Sequence, residues 1–126
     1  MRVLLDTHIL LWWLKDDRKL SNVAANIIEN TANDIFISAV NAWEIAIKKS
    51  LGRIQIDMDE FLESIINSGL GVLNVTVNHA CQVSNLPCHH KDPFDRMLIA
   101  QSIIEPMRLL TQDETLMQYG NHVLLV

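Results

Sequence analysis

Five short apolar runs, each too brief to form a helix, set the tightest limit on what this chain can fold into. They are Val3-Leu4-Leu5, Asp34 to Ser38, Gly71 to Val75, Arg108 to Thr111 and His122 to Val126. Helical patterns fill the intervals. Thr7 to Lys15 is apolar on most of its surface, and Ser21 caps a second helix that reaches about Glu29. Val40 to Leu51 stops at Gly52, Met58 to Asn67 follows, and Asn78 to Ser84 is closed by Pro87. Pro93 to Ile104 and a turn over Glu114 to Gln118 complete the series. Short buried strands alternating with helices predict an α/β fold of three layers, a mainly parallel sheet of about five strands with helices on both faces. Such sheets carry their chemistry in the crevice outside the C-terminal ends of the strands.

Composition narrows the class further. The 126 residues predict one domain spanning 1–126, and 49% apolar content excludes intrinsic disorder. Ile9 to Leu14, the densest apolar run, is far short of the roughly 18 residues that cross a membrane. The start, Met-Arg-Val-Leu-Leu-Asp, lacks the pattern of a signal peptide, so a cytoplasmic protein is expected. Two cysteines, Cys81 and Cys88, fit a reducing compartment, and their spacing to His89 and His90 is a poor zinc pattern. A net charge of −5 weighs at first against a nucleic-acid partner.

The acids fall where the strands end. Asp6 follows the first strand, Asp113 lies just past Arg108 to Thr111, and Glu44 lies about two helical turns beyond Ser38. Asp92 and Asp95 bracket the start of the helix that leads into Arg108 to Thr111. Each has an ordinary explanation: Asp6, Asp92 and Asp113 suit helix caps, and Glu44 stands four residues before Lys48. Capping does not explain their collection at one edge. Two like charges about 4 Å apart repel by roughly 4 kcal/mol at an effective dielectric of 20, so a group of them needs protons or a cation. Oxygen ligands in that number suit Mg²⁺ or Mn²⁺.

Three blocks carry a resemblance: Leu-Leu-Asp6-Thr7-His8, Ser38 through Asn41 and Glu44 to Lys48, and His89-His90-Lys91-Asp92-Pro93-Phe94-Asp95-Arg96 through Gln101. Together they resemble the PIN-domain ribonucleases, closest to the VapC-type toxins of toxin–antitoxin pairs. The resemblance implies a metal-dependent endoribonuclease that hydrolyses RNA with a metal-activated water, and a small cognate antitoxin that neutralises it. It implies Asp6, Glu44, Asp95 and Asp113 as the catalytic, metal-binding acids. Thr7, Ser38, Asn41, Thr111 and Asp92 would line the pocket. Lys48, Lys49, Arg53, His89, His90 and Lys91 are candidate RNA contacts, and Arg96 is expected to pair with a carboxylate. The apolar helix Ile9 to Leu14 fits a homodimer interface, and Trp12, Trp13 and Trp43 are expected in the core or an interface rather than as base-stacking platforms. Met97, Leu98, Ile99 and Ile103 are expected in the core. The alternatives are a non-catalytic RNA- or protein-binding module, and a phosphatase-like hydrolase with Asp6 as nucleophile, although His8 stands where that chemistry wants a second acid.

Overall fold

A computed structural model describes all 126 residues. The strands are β1 (Arg2–Leu5), β2 (Asp34–Ser38), β3 (Gly71–Leu73), β4 (Arg108–Thr111) and β5 (Val123–Leu125). The helices are α1 (Thr7–Leu14), α2 (Asn22–Glu29), α3 (Ala39–Ser50), α4 (Met58–Ser68), α5 (Val77–Gln82) and α6 (Pro93–Ile104). Tight 3-10 turns cover Val83–Asn85 and Glu114–Tyr119. The sheet order is β3-β2-β1-β4-β5, and all four pairings are parallel.

Strand alternation builds two cores, one on each face of the sheet. Val3 and Leu5 of β1, Ile35 and Ile37 of β2 and Leu110 of β4 pack with Ile9, Leu10, Ala24, Ile28, Ile45, Phe61 and Ile65. Leu4 and Leu109 point the other way, toward Leu98, Ile99, Met107, Leu116, Tyr119 and Val123. Burying each large side chain of this kind contributes about 1.5–3 kcal/mol. β1 is central, so its apolar residues are fully enclosed, as a parallel strand covered on both faces requires.

Local chemistry sets the helix ends. Ser21 Oγ accepts the Ala24 N–H at the start of α2, and Asp92 with Pro93 behind it opens α6. α4 ends at Gly69 with φ of 78°, a left-handed cap that glycine adopts without strain. β3 is shorter than the run Gly71 to Val75 suggests, because Thr76 closes a capping box with His79 and draws the chain into α5. The buried His79 also bonds Glu105 at 2.7 Å, tying α5 to the end of α6.

Several apolar residues lie elsewhere than expected. Trp43 is 57% exposed and meets Phe94 edge-on at 5.1 Å, while Ile103 is exposed on α6. Met97 is half-buried, whereas Leu98 and Ile99 are core. On α1, Ile9, Leu10 and Leu11 are spent on the chain's own core, so only the half-buried Trp12, Trp13 and Leu14 remain of its supposed interface. No helix is long and apolar enough to cross a membrane.

At the sheet edge, a Cβ on Gly71 would stand 2.5 Å from Phe36 Cδ1 across the β2–β3 pair. Gly71→Ala is therefore expected to cost about 1–3 kcal/mol through overpacking, read as a lower urea midpoint at unchanged slope.

Candidate active site

The strand order creates one break in direction. From β1 the chain builds outward through β2 and β3, then returns to add β4 and β5 on the other side. The switch point thus lies between the C-terminal ends of β1 and β4, the position where open parallel sheets leave a crevice. Asp6 and Asp113 follow those two strands. The Asp6 N–H donates to Leu110 O at 3.1 Å, which extends the β1–β4 ladder to the acid itself. Asp6 is only 5% exposed. Its Oδ1 accepts the His8 N–H at 2.7 Å as the cap of α1, and its Oδ2 accepts the Thr111 hydroxyl at 2.6 Å.

Beneath the acids lies a buried polar brace. Thr111 Oγ1 also accepts the Asp113 N–H at 3.0 Å, so one hydroxyl ties both acids to the end of β4. Asn41 donates to Leu5 O at 3.1 Å and to Thr7 Oγ1 at 3.0 Å, and its Oδ1 accepts the Ser38 N–H at 2.7 Å. Thr7, Ser38, Asn41 and Thr111 are all buried, and none lines the cavity. They join the ends of β1, β2 and β4 from below. Sequence spacing brought them to the right end of the sheet but could not tell lining from brace. The cavity itself is lined by Asp6, His8, Trp12, Gln112 and Asp113. Asp113, not Glu114, faces it, and Asp113 Oδ1 caps the following turn through Thr115.

Glu44 reaches the site from α3 and is 4% exposed. Its Oε2 pairs with Lys48 Nζ at 2.7 Å one helical turn on. Its Oε1 is buried and has no hydrogen-bond partner. Lys48, a candidate RNA contact, is thus partly exposed and paired with Glu44. Lys49, Arg53, Lys91 and His89 are exposed.

α6 brings the remaining acids. Asp92 is exposed, and its Oδ1 accepts the Asp95 N–H at 3.0 Å, the capping arrangement. Asp95 meets His90 Nε2 at 3.3 Å, and His90 Nδ1 meets the Tyr119 hydroxyl at 2.6 Å. Arg96 donates to that hydroxyl at 3.1 Å and to the carbonyls of Pro87 and Val83. Arg96 thus binds backbone and phenol, not a carboxylate as its sequence context suggested. Arginine only donates, so the Tyr119 oxygen accepts from Arg96, and the His90 ring bridges Tyr119 and Asp95. His90 is held in this chain, which sets it apart from the exposed basic rim.

The electrostatics agree with this crowding. Asp95 is pushed up to about 7, first by burial and then by the charges of Asp92, Asp6, Glu44 and Asp113. Burial also raises Asp6, against the hydrogen bonds from Thr111 and His8 that favour its charged form. Asp95 lies within electrostatic reach of four other acids, and Glu44 keeps one buried oxygen unpartnered; such all-oxygen chemistry would suit a hard divalent cation. Glu44 and Asp95 do not line the cavity that Asp6 and Asp113 share, and no three His, Cys, Asp or Glu side chains lie together closely enough to hold a metal ion. The two cysteines are free and exposed.

The PIN domain family model matches residues 3–121. This chain belongs to the PIN-domain family. Ribonuclease VapC22 of Mycobacterium tuberculosis is 30% identical to this PIN domain over 117 residues, covering 90% of the chain and 88% of the relative. Among solved structures, VapBC2 from Rickettsia felis bound to promoter DNA matches with a TM-score of 0.71 at 17% identity, covering 100% of this chain and 98% of that one. DNA-bound VapBC from Salmonella typhimurium matches at 0.70 and 18% identity, covering 100% and 97%. These distant structures share the PIN fold with its parallel five-stranded sheet.

Three residues of this PIN-domain site escaped sequence reasoning. Tyr119 stands 29 positions from His90, and Gln112 bridges to Ser21 and Lys19 across more than 90. Nothing local marks such pairings. For His8 the available signal is its spacing of four from Trp12, which sets both rings on one face of α1.

The raised Asp95 has a thermodynamic consequence. Its folded value lies above that of an unfolded carboxylate, so the folded chain holds this proton more tightly. The stability gained is full below about pH 4 and is lost as pH rises through about 7. Asp95→Asn should accordingly raise the melting temperature at pH 8 in chelator, with the gain vanishing near pH 4. Separately, Tyr119→Phe removes the acceptor for Arg96 and the partner of His90 Nδ1. It should lower unfolding stability by about 1–3 kcal/mol and shift the His90 ring resonances in ¹⁵N NMR.

Proposed function

We propose that residues 1–126 form a single nuclease domain that acts as a metal-dependent endoribonuclease, a toxin that hydrolyses RNA phosphodiester bonds in the cytoplasm. The observation that carries the reading is the gathering of Asp6, Glu44, Asp95 and Asp113 at the β1–β4 switch point, with Asp95 raised to about 7 by burial and the surrounding acids. Family membership and the likeness to a ribonuclease support it. Asp6, Glu44, Asp95 and Asp113 would hold Mg²⁺ or Mn²⁺. When bound, such an ion lowers the pKa of an attacking water and neutralises phosphate oxygens. Thr111 orients Asp6 and the backbone of Asp113 together, and Asn41 fixes the junction beneath them. Lys48 holds one oxygen of Glu44 and leaves the other to the site. The exposed Lys49, Arg53, Lys91 and His89 would attract the RNA backbone.

A nucleophilic Asp6, as a phosphatase would need, is disfavoured because both its oxygens accept hydrogen bonds and it is nearly enclosed. In the related solved structures the VapC-like chains are found in toxin–antitoxin assemblies, and we extend that to a small antitoxin protein that inhibits this chain. Pairing into a homodimer belongs to the same reading.

Asp6→Asn should abolish RNA cleavage and the growth inhibition caused by the wild type, while the folded chain persists by circular dichroism. Full divalent-dependent cleavage by that variant would overturn the site.

A further inference from the structure

We propose that His8 and Trp12 form a stacking subsite for an unpaired nucleobase beside the scissile phosphate. This deepens the nuclease reading and rests on it only for which phosphate is cut. The two rings lie one helical turn apart on α1, with centroids 5.7 Å apart and an angle of 27° between planes. Both line a cavity of about 350 Å³ that also contains Asp6 and Asp113. The aromatic surface thus shares one space with two of the carboxylates, with no element between them.

Gln112 forms another part of the cavity wall. Gln112 Oε1 accepts the Ser21 N–H at 3.0 Å, and its Nε2 donates to Lys19 O at 3.0 Å. Each end of that amide holds one backbone partner, so Gln112 is fixed in place against the cavity. Trp12 is half-buried with its inner side packed on the core, while His8 is exposed and stacked on it. The aromatic surface turned to the cavity is therefore that of His8 together with the part of Trp12 it leaves uncovered. Every nucleobase has a π-face and purines have the larger one, so this subsite takes bases by stacking, with purines favoured. A base can enter only if it is out of a duplex, which directs cleavage to loops and single strands.

The test uses the whole chain without divalent ions, titrated with adenosine and, as control, ribose. Adenosine is uncharged, so the acids do not repel it. Saturable shifts of the Trp12 indole N–H and His8 ring protons are expected with adenosine and not with ribose. Stacking of about 1–3 kcal/mol per base corresponds to roughly 5- to 150-fold in affinity. His8→Ala, at an exposed position, should weaken adenosine binding by at least about fivefold, and Trp12→Phe should retain most of it. The same His8→Ala change should lower kcat/KM on an RNA cut in a loop by a comparable factor. Absence of shifts at both rings in a chain that cleaves RNA would overturn the subsite and leave the nuclease reading standing. Ring shifts in a chain that cleaves nothing would support the subsite and sink the nuclease reading.

Discussion

The pairing of β1 with β4 is the constraint on which the remainder depends. It places the first strand at the centre of the sheet, sealed on both faces, and it reverses the direction of sheet growth at that strand. Asp6 and Thr111, 105 residues apart, meet only because these strands run side by side in register. The hydrogen bond between them continues the ladder into the crevice. Acids that the chain scatters over its whole length thereby become neighbours.

That arrangement sets function against stability. Carboxylates gathered in a partly dry crevice repel one another, and Asp95 bears the result. The fold offsets the strain largely with hydrogen-bond donors. Thr111, the His8 and Asp113 amides and the His90–Tyr119–Arg96 chain each orient or satisfy part of the acidic ring. Lys48 supplies a formal positive charge against Glu44. A site satisfied mainly by dipoles keeps its negative potential, which a cation-binding site must do.

Much of this was legible in the sequence. Asp-Pro at positions 92–93 marks the start of α6, and β4 emerges with the bounds its apolar run suggests. The acids were visible because strand ends and helix caps are local features. What stayed hidden depends on partners far along the chain. Thr7, Ser38, Asn41 and Thr111 have the right residue types for a pocket, yet whether a small polar side chain lies under or inside a cavity depends on how three strand ends meet. Trp43 sits amid apolar neighbours on α3 and still faces outward, because helical period alone does not say which side the sheet covers. His90 looked like one of several basic side chains until Tyr119 arrived from the far end of the domain.

The Glu44–Lys48 pair bears on which cation the crevice would prefer. With Oε2 held by the ammonium, Glu44 has a single oxygen to offer and can ligate in monodentate fashion only. Asp6, with a donor already on each oxygen, is likewise ill suited to chelate with both. Calcium favours crowded shells that often include bidentate carboxylates, whereas magnesium takes one oxygen from each of a few acids and keeps its waters. A lysine placed one turn along a helix would thus favour the smaller ion at a cation site here, through the denticity it denies to its neighbour.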